Sequence, residues 1–366
     1  MDFLFALEKI RTPFLDKLFG ALTYIGDEIA FLAIAILFFW CISKRQGYYI
    51  LFTGMIGTVV NQFLKLIFKV PRPVESGVTV VGNASEAAGG YSFPSGHTQN
   101  ATGTFGAIAR TWYKKIPLVI LSVITILAVA FSRMYLGVHT PIDVVFSLVF
   151  ATALVFALYP CFKNDDRMNK CMPYLIMVSM LLSIAFLLYF VFSSREAHSY
   201  ENYKSGLENA FTMAGAVVGI TIVYYLDTRY IKFDTRASWY VQIIKLVLGL
   251  GITVGLLEGL RWPLNFVCFG NEYIARLIRY FIVVVFAGAV WPLTFPLLSK
   301  IKIGMLDRLG AKVAKIFKKS DTGAKFDKEN GAEGIEKARV RGYFGKQNTK
   351  KKSWKKNNKK NKKKYR

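Results

Sequence analysis

Histidine, cysteine and acidic residues are scarce in this sequence. Its 366 residues include 3 histidines and 4 cysteines, and 23 acidic residues stand against 48 lysines and arginines. The cysteines (Cys41, Cys161, Cys171 and Cys268) have no CxxC spacing, which excludes a zinc-binding motif and a disulfide framework. We find no internal repeat and no basic leader before an apolar stretch, so we expect neither a repeat architecture nor a cleaved signal peptide.

Apolar residues are abundant and form long runs. Hydrophobic residues make up 53% and aromatic residues 15% of the chain, and the mean hydropathy is +0.34. Several runs approach about 20 residues, the length that an α-helix needs to cross a bilayer. The sequence therefore predicts an all-α protein, a polytopic bundle of about nine transmembrane helices. The predicted spans cover residues 29–42, 48–69, 97–112, 117–131, 141–159, 173–192, 210–226, 239–257 and 280–298.

Four regions of the chain differ in composition. Residues 1–27 mix apolar and charged side chains, which predicts an amphipathic helix in the membrane interface. Residues 28–194 form a core of six predicted spans with all the candidate catalytic residues, and residues 195–299 form an accessory region of three spans. Residues 300–366 are rich in lysine and predict a disordered basic tail. Such a tail suits contact with anionic lipid; nucleic acid is not expected, because no stacking aromatic pattern accompanies the charge.

The distribution of lysine and arginine predicts the topology. Basic residues follow predicted spans one, three, five, seven and nine, beginning with Lys44 and Arg45. Cytoplasmic loops carry such an excess, so we expect these five loops inside the cell and the N-terminus outside. The C-terminal tail is then cytoplasmic. The polar motifs described next all fall on the opposite, extracytoplasmic face of a cell membrane.

The first polar motif contains two cations. Lys65 and Arg72 are separated by about two helical turns near the end of the second predicted span, where Pro73 helps to end the helix. Two cations at one helix end suit a phosphate dianion, because the arginine fork can bind two oxygens. The alternative is that both side chains simply reach the lipid headgroups.

The second polar motif is Pro94-Ser95-Gly96-His97. Ser95 is a natural N-cap for the third predicted span, with Gly96 and His97 in the first turn. Backbone N–H groups at such a helix start can bind phosphate, and Gly96 would let the oxygens approach closely. The alternative is an ordinary capped helix.

The third polar motif runs from Ser132 to Asp143. Thr140 and the following proline predict the N-cap and first residue of the fifth span, with Asp143 at its third position. Asp143 is then a capping carboxylate, a partner that orients one nitrogen of His139, or both. The other nitrogen of His139 would be free to act as a nucleophile. Arg133 adds a third cation.

Together the motifs contain every group that metal-free cleavage of a phosphate ester requires. Ser95 and Gly96 can hydrogen-bond the phosphoryl oxygens, and the three cations can neutralise them. His139 can attack phosphorus, and His97 can protonate the leaving oxygen. A metal site fits poorly, because three cations would repel the ion. The third histidine, His198, lies in a polar loop where we expect ordinary solvation.

These motifs resemble the three-part signature of the type 2 phosphatidic acid phosphatase superfamily. The matching positions are Lys65, Arg72-Pro73, Pro94-Ser95-Gly96-His97, Ser132-Arg133, His139 and Asp143. The resemblance covers roughly residues 48–160. It implies a helical bundle that needs no metal, with a phosphohistidine intermediate on His139, Asp143 as its orienting partner and His97 as acid and base.

The resemblance also implies a phosphate-binding set, which consists of Lys65, Arg72, Ser95, Gly96 and Arg133. Vanadium haloperoxidases share the core of this superfamily. Membrane members commonly have about six spans, so the accessory spans and the long basic tail depart from the family pattern.

We therefore expect an integral membrane phosphatase acting on a lipid phosphomonoester or pyrophosphate. The substrate classes implied are phosphatidic acid, phosphatidylglycerophosphate and prenyl pyrophosphates such as undecaprenyl pyrophosphate. A lipid phosphotransferase of the same fold is an alternative, in which an alcohol replaces water. A haloperoxidase and a non-catalytic receptor or scaffold are further alternatives, against which the many spans and the intact motifs argue respectively. The sequence determines neither the lipid nor the oligomeric state.

Overall fold

The computed structural model describes residues 1–82, 90–192 and 200–301, with isolated positions up to residue 308, and these residues contain no β-strand. The α-helices are α1 (Asp2–Lys9), α2 (Pro13–Thr23), α3 (Glu28–Leu37), α4 (Lys44–Phe68), α5 (Gly96–Thr111), α6 (Ile116–Tyr135), α7 (Pro141–Leu158), α8 (Asp165–Phe192), α9 (Tyr200–Leu226), α10 (Trp239–Gly259), α11 (Arg261–Val267), α12 (Glu272–Val285) and α13 (Phe295–Leu298). The predicted loop residue His198 and the predicted tail from residue 309 onward lie outside the described residues.

The predicted membrane-spanning bundle is confirmed. Within the described residues, seven helices are long and apolar enough to cross a membrane, and α2 with α3 passes the same test as a pair bent by 54°. These eight candidates coincide with eight of the nine predicted spans. The ninth predicted span is α5, which has only 16 residues and includes Thr98, Gln99 and Asn100. Because α5 packs against α4, α6 and α7, it carries these polar side chains without exposing them to lipid.

Residues 1–27, predicted as an amphipathic helix in the membrane interface, contain two helices, and their place in the interface stays a prediction. Thr12 caps α2 and Pro13 is its first residue, so the chain breaks after α1. A 3₁₀ turn at Tyr24–Gly26 then leads to α3, whose N-cap is Asp27. Glycine is required in this turn, because a Cβ on Gly26 would lie 2.6 Å from the backbone oxygen of His97. The bend therefore packs directly on the first turn of α5.

The predicted core and accessory regions pack as parts of one compact unit, Met1–Ile301. Trp40, at the end of the first span, contacts the rings of Trp291 and Phe295. Its indole N–H donates to the backbone oxygen of Ala287 at 2.9 Å. A single hydrophobic cluster thus joins both regions, and a boundary between them at residue 194 stays a prediction.

Ion pairs join the loops at one end of the bundle. Lys44 Nζ lies 2.7 Å from a carboxylate oxygen of Asp227, and Arg45 lies 3.0 Å from Asp165. Both cations belong to the first turn of α4, whereas Lys65 belongs to its last turn, so about 30 Å of helix separates these pairs from Lys65. The basic loops and the polar motifs therefore occupy opposite ends of the bundle. Which end faces the cytoplasm stays a prediction.

Candidate active site

Six of the eight predicted site residues line one cavity of about 250 Å³. They come from the end of α4 and the loop after it, the first turn of α5, the last turn of α6 and the loop before α7, and they are Lys65, Arg72, Gly96, His97, Arg133 and His139. The other two, Ser95 and Asp143, are buried behind these residues. Segments that are far apart in the sequence thus converge, which the motifs required.

His139 is held by a carboxylate at the start of α7. Its Nδ1 lies 3.5 Å from Oδ2 of Asp143, and the two side chains are 3% and 2% exposed. The same oxygen accepts hydrogen bonds from the Ser92 hydroxyl at 2.6 Å and the Thr140 N–H at 2.8 Å. Asp143 therefore acts as helix cap and histidine partner at once. This network favours a proton on Nδ1 of His139, which leaves Nε2 with its lone pair.

The His139 ring is kept neutral by its surroundings. It lies in the short loop between α6 and α7, outside the candidate spans. Burial lowers the pKa of His139 well below its usual value; the hydrogen bond with Asp143 opposes this shift, and the neighbouring cations Arg72 and Arg133 reinforce it. An uncharged imidazole is the form that a nucleophile needs.

His97 has a carboxylate neighbour from a distant part of the chain. Its Nε2 lies 3.7 Å from Oδ2 of Asp27, the residue that caps α3. His97 stands in the first turn of α5, which is not among the candidate spans. Burial, followed by the charges of Arg133 and Lys65, lowers the pKa of His97 to about 3. Sequence reasoning did not find Asp27, because the contact depends on the bend between α2 and α3.

Two of the cations are anchored by backbone oxygens. Lys65 Nζ donates to the oxygen of Tyr91 at 2.7 Å. Arg72 donates from Nε to the oxygen of Gly90 at 2.9 Å and from Nη1 to that of Val138 at 3.1 Å. These bonds hold both side chains at the cavity and against the loop before α5 and the loop before α7. The alternative, in which both side chains simply extend to the lipid headgroups, does not fit these contacts.

Arg133 is the most deeply buried of the three cations, with 2% of the residue exposed. Its Nη1 donates to the hydroxyl of Thr23 at 2.6 Å. Its Nε is buried and has no hydrogen-bond partner among the described residues. A buried guanidinium is costly without anionic or polar partners. Arg133 is thus well suited to an anion in the cavity.

Ser95 is the N-cap of α5, as the sequence predicts. Ser95 is fully buried, and its hydroxyl accepts the N–H of Thr98 at 3.5 Å and lies 3.0 Å from the Thr98 hydroxyl. The hydroxyl keeps its own O–H donor while it caps the helix, and its expected contact with a phosphoryl oxygen stays a prediction. Gly96 does line the cavity, and a Cβ there would meet nothing within 4 Å. The N-terminus of α5 can also bind phosphate through its backbone N–H groups.

Five amide side chains that sequence reasoning missed also line the cavity, and three of them are buried. Asn61 lies on α4, one turn before Lys65, and Gln99 and Asn100 lie on α5 just after His97. Each has one buried polar atom without a hydrogen-bond partner in the described part of the chain: Nδ2 of Asn61, Oε1 of Gln99 and Oδ1 of Asn100. Such atoms usually face water or a ligand. Their helical spacing from the motif residues is the signal that could have found them.

The cavity offers a poor set of metal ligands. Among the residues that the structure describes, no group of three or more histidine, cysteine, aspartate or glutamate side chains could hold a metal ion. Cations, imidazoles and amides dominate its lining instead, and these bind an oxyanion. The fold and the site together define a helical membrane protein with a cavity lined by cations, imidazoles and amides at one end of the bundle.

Family models identify this class. The model of the PAP2 superfamily matches residues 45–167, and the model described as PAP2 superfamily phosphatase, transmembrane extension, matches residues 211–302. The two matches together cover more than half of the chain. The chain belongs to the PAP2 superfamily. The second match also covers most of the predicted accessory region, whose spans had departed from the family pattern.

Several curated proteins are similar to this chain. A probable sphingosine-1-phosphate phosphatase of Dictyostelium discoideum is 27% identical over 41% of this chain and 39% of its own length. The undecaprenyl-diphosphatase BcrC of Bacillus subtilis is 33% identical over 32% of this chain and 58% of its own. Sphingosine-1-phosphate phosphatase 2 of Homo sapiens is 23% identical over 60% of this chain and 54% of its own. The chain thus spans about two fifths to three fifths of these relatives. No solved structure matches.

Proposed function

We propose that the chain is an integral membrane phosphatase that hydrolyses a phosphomonoester or pyrophosphate on a lipid. The observation that supports this most strongly is the convergence of two imidazoles and three cations on one cavity beside a helix N-terminus. The similarity to proteins named as sphingosine-1-phosphate phosphatases and an undecaprenyl-diphosphatase agrees with it. The lipid headgroup enters the cavity while the hydrocarbon part stays in an apolar environment.

Substrate binding relies on charge and on backbone donors. Lys65, Arg72 and Arg133 neutralise the phosphoryl oxygens, and the N–H groups of Gly96 and His97 donate to them. The negative charge of the phosphate offsets the cations that depress the pKa of His97. Binding of substrate therefore raises that pKa toward the range in which His97 can donate a proton.

The first chemical step transfers the phosphoryl group to the protein. Nε2 of His139 attacks phosphorus, and the bond from phosphorus to the lipid or pyrophosphate oxygen breaks. His97 gives its proton to that leaving oxygen. The three cations stabilise the charge spread over the equatorial oxygens, and Asp143 stabilises the charge on the His139 ring through Nδ1–H.

The second step releases phosphate. His97, now neutral, removes a proton from water as the water oxygen attacks phosphorus. The bond between phosphorus and Nε2 breaks, and His139 returns to its neutral form. No step uses a metal ion or another cofactor. A transferase would differ only here, with an alcohol in place of water.

The proposed topology places this chemistry at the extracytoplasmic face of the cell membrane, with the lysine-rich tail in the cytoplasm against anionic lipid. The separation of the basic loops from the cavity along α4 supports it. The test starts from a variant in which the four native cysteines are replaced by serine. Single cysteines introduced there at Lys69 or Lys163 are then labelled with a membrane-impermeant reagent on intact cells. Labelling only at position 69 is expected, and labelling only at position 163 contradicts the orientation.

A substrate panel tests the activity. Purified protein in detergent is offered phosphatidic acid, phosphatidylglycerophosphate, a prenyl pyrophosphate and a sphingoid base 1-phosphate, with and without an acceptor alcohol. We expect phosphate release from at least one of these lipids by the wild type and none by His139→Ala. Formation of a new phosphoester with the alcohol instead of free phosphate would identify a transferase. No turnover of any lipid by well-folded protein would overturn the proposal.

A further inference from the structure

A second, apolar groove leads away from the cavity toward the other end of the bundle. The helices α3 and α4 form one side of it, and α9 with α12 and the turn after it form the other. Two residues, Glu28 and Thr58, line both the groove and the catalytic cavity. The two spaces are therefore adjacent, and the groove begins beside the catalytic cavity.

One face of α4 lines both spaces in sequence. Lys65, Asn61 and Thr58 lie on it at the cavity end, and Met55 and Leu51 continue it in the groove. The spacing of three to four residues keeps all of them on one stripe of the helix. The stripe thus changes from charged and polar to apolar at Thr58.

The helix α9 repeats this pattern from the opposite side. Ser205 and Asn209 line the cavity, and Met213, Ala216 and Ile220 line the groove at the same helical spacing. Ser205 is near the start of α9 and Lys65 near the end of α4, so the two helices run in opposite directions while their polar ends coincide. On both α4 and α9, the lining therefore changes from polar residues at the cavity to apolar residues in the groove, as expected for a site that holds a headgroup at one end and a hydrocarbon chain at the other.

The far wall of the groove contains small residues in an irregular turn. α12 ends in a π-helical turn, Phe286–Val290, and Ala287 and Gly288 of this turn line the groove. π-helical turns inside α-helices occur frequently at functional sites. A Cβ on Gly288 would lie 2.5 Å from the Val223 side chain, which also lines the groove, so the groove is tightly closed at that level.

The length of the groove suits a lipid hydrocarbon chain. The apolar part of the α4 stripe, from Thr58 to Tyr48, is about 15 Å long, which is half of the ~30 Å hydrocarbon core of a bilayer. The groove is bounded by four helical segments of the same chain. We propose that it binds a single hydrocarbon chain of the substrate, with the accessory spans as its wall. This inference rests on the proposed function and assigns it a substrate class, lipid phosphates in which one long chain enters the protein.

Filling the groove tests the proposal. Ala216→Phe adds a ring to the α9 stripe in the groove. Val218→Phe adds the same ring two residues away, at a position 39% exposed on the outer surface of α9, and is the matched control. The measurement is the affinity of purified protein in amphipol for soluble alkylphosphonates of stepwise increasing chain length. Binding of a phosphonate does not depend on turnover, so this readout stays valid if the proposed hydrolysis is wrong.

In the wild type and Val218→Phe, each added methylene should tighten binding about fourfold, the effect of ~0.8 kcal/mol per buried CH₂. The increase should stop at a shorter chain in Ala216→Phe, which should bind the longest phosphonate at least about tenfold more weakly and the shortest within about twofold. The same chain-length dependence in all three proteins would overturn the groove assignment, whether or not lipid phosphate is hydrolysed. Equal loss at every chain length in Ala216→Phe would overturn it as well, because the ring would then act on the phosphate end.

A bilayer lipid held permanently in the groove is the competing occupant. Lipid extracted from purified wild type, Ala216→Phe and Val218→Phe, and quantified by mass spectrometry, distinguishes it. We expect no stoichiometric lipid that survives an excess of the longest phosphonate. A lipid that stays bound under that excess in the wild type and is missing from Ala216→Phe would contradict the proposal.

Discussion

The two histidines of the cavity are held in different ways. His139 and Asp143 are four residues apart, both are almost fully buried, and their atoms lie 3.5 Å from each other. His97 and Asp27 are 3.7 Å apart, and their side chains are 21% and 34% exposed. The first pair lies within the region that the PAP2 model matches, whereas Asp27 precedes it. One carboxylate is thus fixed by local sequence and the other by a bent helix from outside the family core.

This difference agrees with the proposed roles. A nucleophile benefits from a dry, rigid partner that fixes its tautomer and charge. An acid–base group must exchange protons with a leaving oxygen and with water, so partial exposure suits it. We therefore expect changes around His139 to remove the chemistry and changes around His97 to tune it.

Replacement of the nucleophile should have the largest effect. His139→Ala removes the atom that accepts the phosphoryl group, so kcat/KM should fall at least about 10⁴-fold. Phosphate release from the best lipid of the panel measures it, with thermal unfolding as the check on folding. A fall of less than about tenfold in well-folded protein contradicts the covalent role.

Loss of the buried carboxylate should come next. Asp143→Asn leaves the shape of the pair but no longer favours a proton on Nδ1 of His139, so kcat should fall by about 10²- to 10⁴-fold. The hydrogen bonds from Ser92 and Thr140 to this position can persist, which makes a structural loss small. Activity near the wild-type level would show that Asp143 only caps α7.

Loss of the half-exposed carboxylate should have a smaller, pH-dependent effect. Asp27→Asn removes a negative charge beside His97, which lowers the pKa of His97 further. Since the first step needs protonated His97, the alkaline limb of the rate profile should move to lower pH by about one unit, with about a tenfold loss above it. The control is Asp166→Asn, which removes an exposed carboxylate that pairs with neither histidine.

Two outcomes for Asp27→Asn would contradict the difference between the His139–Asp143 pair and the His97–Asp27 pair. A loss as large as that of Asp143→Asn, at every pH, would make the two pairs equivalent. An unshifted profile would reduce Asp27 to a helix cap.

Removal of metal ions should have no effect. The described residues offer no ligand cluster, so EDTA should leave kcat and KM unchanged within about twofold, whereas vanadate should inhibit by occupying the oxyanion positions. If EDTA abolished activity and added zinc restored it, the metal-independent mechanism would be contradicted.

The parts of the site that the sequence could predict are those that depend on the spacing of nearby residues. Lys65 and Arg72 follow from a helix end, and Asp143 from its capping position four residues after His139. Asp27 and Thr23 could not be predicted, because both reach the cavity only through the bend between α2 and α3. Ser95 was correctly predicted as the N-cap of α5, and its role in phosphate binding stays a prediction.

In the fold, too, features set by local sequence could be predicted, and features set by helix packing could not. Apolar runs predicted the spans, since lipid-facing helices must be apolar along their length. They assigned α5 as a span like the others, although it is short and polar because other helices surround it. The apolar groove could not be predicted, because it depends on which stripe of α4 faces which stripe of α9.

Trapping the phosphorylated protein tests the covalent role of His139 most directly. Purified protein is mixed briefly with lipid carrying labelled phosphate, quenched in alkali, in which phosphohistidine survives, and digested for mass spectrometry. We expect the label on the peptide that contains His139 and no label in His139→Ala. In His97→Ala, a substrate whose leaving group needs no protonation should give more labelled protein, because the second step then lacks its base. Full turnover with no labelled protein, or with the label on another residue, would contradict the account.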